Sequence, residues 1–322
     1  MVRVARTVLL VTILGVVVSG PAWGGSPPGF GEGLFGQRGL DPRAMSMGGA
    51  FTAVAQGPAG GYYNPAKLAD LRTLHLGGFY SQPYGEGFGA TYQYVSVLGT
   101  LGAQTESRLP IGIGLMWTDQ RIGGIQLWDE NGPSGIAEAS GSVYLASAGV
   151  EIPGADGLLL GVSFKYYDAR LLEGRGQGVG ADIGVLGSLF LGGVAVDLGC
   201  SLMDLGGTTI HWSSLSGDTD NVIAWTVKAG VAVTVWETAV VAADVDWQDR
   251  RALSKQVLHI GIDVAPIELL HIRAGWSGTL SGGGKLALGG GIVIGGHVTV
   301  DYAYLPPAVF GASHLISVSV GL

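Results

Sequence analysis

Six aspartates (Asp182, Asp197, Asp244, Asp246, Asp263 and Asp301) and three cations (Lys165, Lys228 and Arg273) each fall on the polar side of a run in which polar and apolar residues alternate. Carboxylates gathered with ammonium and guanidinium groups support acid–base catalysis, ligand binding or an ion-paired wall. Catalysis requires a nucleophile, a base and an orienting partner that can be grouped, and no such set can be assembled here. G-x-S-x-G, H-E-x-x-H, C-x-x-C and the phosphate-binding P-loop are all absent from the chain. The six histidines (His75, His211, His259, His271, His297 and His314) include no i, i+4 pair, and the single cysteine, Cys200, has no partner for a disulfide. GRGQGVGA at 174–181 has the glycine spacing of a dinucleotide loop. Gly184 and Gly187 then continue a strand pattern where a helix would have to open, so that reading is rejected. The expectation is a polar inner wall lined by Lys165, Asp182, Asp197, Asp244, Asp263, Arg273 and Asp301, with no metal, no cofactor and no enzymatic activity.

The elements that position these side chains read as strands. In 158–167, Leu158, Leu160, Val162, Phe164 and Tyr166 share one face, and Lys165 and Tyr167 share the other. In 270–276, Leu270, Ile272, Ala274 and Trp276 oppose His271 and Arg273; in 298–304, Val298, Val300, Tyr302 and Tyr304 oppose Thr299 and Asp301. The chain is apolar, with 47% hydrophobic residues and only 13% charged ones, and its mean hydropathy is +0.40. An ordinary soluble domain carries about 25% charged residues. Beyond the N-terminus no clean apolar run of about 20 residues exists to form a spanning helix. The nearest, 222–245, is broken by Lys228 and Glu237 and reads as two strands. A charge-poor chain without spanning helices satisfies its backbone in a bilayer by closing a barrel, apolar outward and polar inward. The soluble alternative is a glycine-rich sandwich or solenoid, suggested by the 58 glycines.

The pattern predicts an all-β transmembrane antiparallel barrel over 73–322 with about fourteen strands, an even number as expected for this class. Short links near 191–193, 236–237, 266–267 and 295–296 follow even-numbered strands, and the longest, 119–137 and 205–221, follow odd-numbered ones. That parity places the N-terminus in the periplasm and the long loops outside; the longish link at 99–108 is the exception. Trp225 and Trp247, equidistant from Trp236, are expected near one rim. Residues 1–24 read as a signal peptide for Sec-type export: Arg3 and Arg6, an apolar core at 8–18, then Pro21 and small residues. Its removal leaves 15 basic against 25 acidic residues, a net charge of −10, which argues against nucleic acid as a partner. The alternating HLISVSVGL at 314–322 reads as a closing strand. It resembles the C-terminal signal of outer-membrane barrels, with Leu322 where Phe is usual.

Residues 25–72 do not alternate. Small residues fill 44–55, a Gly/Pro loop follows, and Asn64 and Pro65 read as the cap and first position of a short helical turn through Leu71. RAMSMGGAFTAVAQGPAGGYYNPAKLA resembles the N-terminal signature of FadL-type and PorV-type outer-membrane proteins, a small-residue MGGAFTAVA followed by aromatic-Asn-Pro-Ala-Gly-Leu. Lys67 stands where Gly is common, and Gly57 and Gly60 where acids or Ser often occur. The resemblance implies a fourteen-stranded barrel in the outer membrane of a Gram-negative-type (diderm) bacterium, with segment 25–72 plugging the lumen as a hatch and Met47, Gly48, Gly49, Tyr63, Asn64, Pro65 and Ala66 as hatch residues. It implies passive transport of hydrophobic, long-chain fatty-acid-like small molecules. The alternatives are a PorV-like accessory to protein secretion or surface attachment and, third, a small-solute porin. The expected partners are outer-membrane lipid, a hydrophobic ligand, and secreted or secretion-system proteins. The last would meet the outer loop at 118–137 through Ile125, Leu127 and Trp128.

Overall fold

The computed structural model describes residue 35 and residues 39–83, 89–101, 111–191, 194–213, 217–236, 238–248, 255–279, 282–307 and 311–322. The expected signal peptide and most of 25–38 lie outside the described residues. Sixteen strands form one sheet: β1 (His75–Gln82), β2 (Ala90–Leu101), β3 (Ile111–Asp129), β4 (Gly132–Glu151), β5 (Leu158–Leu171), β6 (Gly174–Leu191), β7 (Val194–Met203), β8 (Thr208–Ser213), β9 (Thr219–Ile223), β10 (Thr226–Val235), β11 (Ala239–Gln248), β12 (Lys255–Ile267), β13 (Leu270–Thr279), β14 (Gly282–Ile294), β15 (Val298–Leu305) and β16 (Ser313–Gly321). All but β8 and β9 make a closed antiparallel wall of fourteen strands, in which β7 pairs with β10 and β16 returns to β1. Closure runs from His75↔Gly321 to Gln82↔His314, so no wall strand is left with an open edge.

Alternation sets the two faces. Val162 and Phe164 are each 57% exposed on the outside, whereas Lys165 between the strands' inner neighbours is 2% exposed. This is the inverse of a soluble domain and is what a wall facing hydrocarbon requires. Trp225 and Trp247 meet edge to face with ring centroids 5.8 Å apart.

Three expectations about links are corrected. Residues 119–137 are not a loop: β3 and β4 run on as a hairpin that turns at Glu130 and Asn131. The strand pattern is masked there because the register shifts between Ile122 and Ile125, where Gly124 takes a φ of +69°. Such a bulge moves every later side chain to the opposite face. The link 205–221 holds β8 and β9, and the expected strand 222–235 is split after Ile223. The turn expected at 266–267 falls at Glu268 and Leu269; β12 continues through Pro266 with a register shift between Val264 and Ile267, a bulge being where a strand tolerates proline.

Candidate functional site: the barrel interior

Residues 39–72 lie inside the barrel. They form α1 (Pro42–Ser46), α2 (Gly60–Tyr63) and a 3₁₀ turn (Pro65–Asp70) joined by tight turns. A segment built of small residues comes close to the wall because the wall offers inward glycines. A Cβ on Gly112, Gly149, Gly161, Gly184, Gly199, Gly261 or Gly275 would run into Leu68, Ala69, Pro65, Asn64, Thr52, Met47 or Gly48 respectively. The segment is equally constrained: Gly48, at φ +69°, leaves its Cβ position 2.6 Å from the Trp276 backbone nitrogen, so only glycine fits in both space and torsion.

Polar wall residues anchor it. Asp244 Oδ2 accepts the backbone N–H groups of Phe51 (2.8 Å) and Thr52 (2.7 Å). The His259 Nδ1–H donates to the Gly48 carbonyl at 2.6 Å. Asn64, fully buried, donates through Nδ2 to the carbonyls of Thr52 (3.0 Å) and Val185 (3.1 Å) and accepts the Ala66 N–H at 3.1 Å. Pro65 opens the 3₁₀ turn and Ala66 is buried beneath it. The Tyr63 hydroxyl donates to the Leu40 carbonyl at 2.6 Å, and Met47 is wholly enclosed.

The charged residues form separate groups. Asp263 receives Arg273 (3.0 Å), Arg43 (3.2 Å) and His271 (2.9 Å), and Arg273 continues to Asp301 at 2.6 Å. Asp41 caps α1 by accepting the Arg43 N–H at 2.8 Å and takes a 2.8 Å bond from the Tyr94 hydroxyl. Burial pushes the Asp41 carboxyl up to about 6, with Asp301 adding to the rise and the Tyr94 and Arg43 hydrogen bonds opposing it. Burial likewise lowers the Arg43 guanidinium. Lys228 pairs with Asp246. Lys165 lies 2.7 Å from Asp182 and 3.2 Å from Asp204. Asp197 stands apart toward the short-turn end, accepting the Ser188 hydroxyl at 2.5 Å.

The segment divides the interior unequally. At the short-turn end is a chamber of about 590 Å³, lined by Arg43, Gln56, Lys67, His75, His271 and Asp301 among others. At the long-loop end the described residues enclose a narrow cleft of about 30 Å³, lined by Phe35, Tyr62, Tyr92, Met116, Leu145, Tyr167 and Met203, with Thr118, Gln120, Lys165 and Asp204 as polar members. Next to it Phe35, Ala139, Tyr167, Ala169, Ile210, Trp212 and Ile223 form one apolar cluster. The β8–β9 hairpin supplies three of these side chains. It joins β6 at Gly176↔Trp212, and a Cβ on Gly176 would lie 2.6 Å from the Trp212 ring, so the hairpin covers the inner face of the wall.

Of the three residues expected in the outer loop, Ile125 packs against this inner cluster, Leu127 is half-buried, and Trp128 is 70% exposed; the structure does not bring them onto one surface. Sequence reasoning passed over Asp41, Arg43 and Asp204. Asp41-Pro42 carried a cap signal. Asp204, at φ 53°, precedes the pair Gly206 and Gly207, which marks a turn. Every cation named in these groups is met by a carboxylate, and among the described residues no group of three or more metal-ligating side chains is assembled. These ion pairs and hydrogen bonds hold the luminal segment against the wall.

No family profile and no curated protein sequence matches the chain. Solved structures do. The fold is similar to that of the Ralstonia pickettii toluene transporter TbuX, with a TM-score of 0.61 at 14% identity over 89% of this chain and 100% of that one. A TodX monoaromatic hydrocarbon channel mutant gives 0.59 at 15% identity, over 88% and 98%, and a Pseudomonas aeruginosa FadL homologue 0.56 at 10% identity, also over 88% and 98%. Likeness at such identities shows a shared architecture.

Proposed function

We propose that this chain is a passive channel of the FadL type, carrying hydrophobic small molecules across the outer membrane of a diderm bacterium after Sec-type export. In this reading residues 73–322 are the barrel and segment 25–72 is its hatch, with Met47, Gly48, Gly49, Tyr63, Asn64, Pro65 and Ala66 seating it. The observation that carries the reading is the aromatic and aliphatic cleft at the long-loop end, which stops against a segment packed across the lumen. An ion-conducting porin would need a continuous wet path there. Its small volume means that a ligand enters only as the cleft widens, by movement of side chains or of the β8–β9 hairpin. The toluene and monoaromatic hydrocarbon channels of similar fold support a hydrophobic cargo; the fatty-acid-like cargo is the widest form of this reading.

A second reading, docking of a secreted or secretion-system protein, is favoured by the β3–β4 hairpin, where Trp128 and Ile136 are 70% and 74% exposed. Native mass spectrometry of the protein, gently extracted from its own membrane, separates the two. A retained small apolar molecule, lost on Asn64→Ala, supports transport. A retained protein, lost when residues 125–136 are trimmed, refutes it and supports docking.

A further inference from the structure

The cleft at the long-loop end contains one cation among its described lining residues, Lys165. A free ammonium there would recruit anionic amphiphiles, but this one is occupied. Its Nζ lies 2.7 Å from Asp182 Oδ1 and 3.2 Å from Asp204 Oδ2. Lys165, Asp182 and Asp204 are 2%, 0% and 2% exposed, so water screens none of them. Asp204 is itself held in place: its Oδ1 accepts the Tyr167 hydroxyl at 2.5 Å and the Thr208 hydroxyl at 3.0 Å, and its backbone N–H donates to Asp182 Oδ1 at 2.8 Å. Neither aspartate can swing away without breaking these bonds.

From this geometry we infer that Lys165, Asp182 and Asp204 make the cleft selective for uncharged aromatic and aliphatic molecules and against carboxylates. The inference rests on the channel reading and narrows its substrate class. A ligand carboxylate reaching Lys165 has to displace an aspartate and leave it buried without its cation, which is strongly unfavourable. It also approaches two acids for one base. The three hairpin segments bordering the cleft repeat the sign: residues 119–138, 168–175 and 208–223 hold eight acidic residues and three basic ones, a local field that disfavours anions. What remains on offer to a ligand is ring surface. Tyr167 meets Phe35 edge to face with centroids 5.0 Å apart, an arrangement that accepts a further ring without requiring charge. The buried cluster therefore acts as a structural ion pair facing the cleft and as a barrier to acids.

The test compares two molecules with the same ring, toluene and benzoate. Radiolabelled uptake is measured in intact cells lacking general porins, with the full chain or an empty vector. Wild type is expected to take up toluene above the vector background and benzoate at background. Asp182→Asn with Asp204→Asn, which leaves Lys165 charged and unpaired, is expected to raise benzoate uptake relative to toluene by about tenfold or more. Adding Lys165→Met to that pair is expected to return benzoate to background while toluene is retained. Insertion of each variant is checked by its heat-dependent shift on electrophoresis. If the double variant does not insert, Asp204→Asn alone, which leaves Lys165 with one carboxylate in place of two, carries the comparison, with a smaller rise in the benzoate-to-toluene ratio expected. Benzoate entering wild-type cells as fast as toluene overturns the inference and leaves the channel reading intact, as does an inserted variant with an unchanged ratio. Failure to take up either molecule overturns the channel reading and this inference with it.

Discussion

Asn64→Ala isolates what holds the luminal segment to the wall. The side chain makes three hydrogen bonds in a fully buried site, two as donor to the Thr52 and Val185 carbonyls and one as acceptor from Ala66. Alanine leaves two carbonyls and one N–H without that partner, at about 1–3 kcal/mol for each group left unsatisfied. Both carbonyls retain a second lone pair for other partners, so the lower part of the range applies and the sum is about 3–4 kcal/mol. At 1.4 kcal/mol per factor of ten, the detached population rises roughly 10²- to 10³-fold. Asn64→Asp sharpens the test. It preserves the cap on the 3₁₀ turn, since aspartate is as good a cap as asparagine, but turns a carboxylate oxygen toward two carbonyls; its effect is expected to equal or exceed that of alanine. The assay is limited proteolysis of the inserted barrel at Arg43, Lys67 and Arg72, all in the segment. Cleavage follows the open population when reclosing is fast. Rates for both variants within threefold of wild type would refute the argument that Asn64 ties the segment to β6. A normal rate for Asn64→Asp beside a fast one for Asn64→Ala would assign the effect to capping alone.

Three further outcomes are expected. Asp41 has its carboxyl raised to about 6 in the folded state against about 3.9 in an unfolded chain; the attached segment therefore binds the proton more tightly. Attachment is strongest below about pH 4 and weakens as pH rises through 6, so proteolysis at Arg43 quickens from pH 4 to pH 7 and Asp41→Asn flattens that profile. Gly275→Val places a side chain where Met47 and Gly48 lie; the barrel is expected to close normally while the segment fails to seat, giving a higher ion conductance in planar bilayers than wild type. Ile210→Asp puts an unpaired carboxylate into the apolar cluster at a fully buried position, and hydrogen exchange is expected to speed up across 208–223 while the wall strands stay protected.

Much of the wall was legible because a strand writes its two faces into alternate residues. Lys165, Asp182, Asp197, Asp244, Asp263, Arg273 and Asp301 were assigned inward by parity alone; all but Asp197, which is half-buried, are buried. The same rule failed where parity is broken locally. The bulge at Ile122 to Ile125 hid the outer half of the β3–β4 hairpin, and within that half plain alternation puts Ile125 and Trp128 on opposite faces. Residues 205–221 were read as a link because the six- and five-residue strands β8 and β9 are too short for periodicity to stand out from a loop.

The sequence by itself determined a closed apolar-outside wall of fourteen strands and a non-alternating N-terminal segment of small residues with an Asn-Pro turn. Period, glycine content and turn chemistry are local properties, and they carry that much. Only the tertiary structure decided which groups meet across the lumen. Arg43 reaches Asp263 from 220 positions away, Asp244 takes the N–H groups of Phe51 and Thr52, and β8 pairs with β6 instead of extending β7. Those pairings depend on where ring closure brings opposite walls, and on which inward glycines let the segment approach. Neither is encoded in the spacing of residues along a single strand, because closure is a property of all fourteen strands at once.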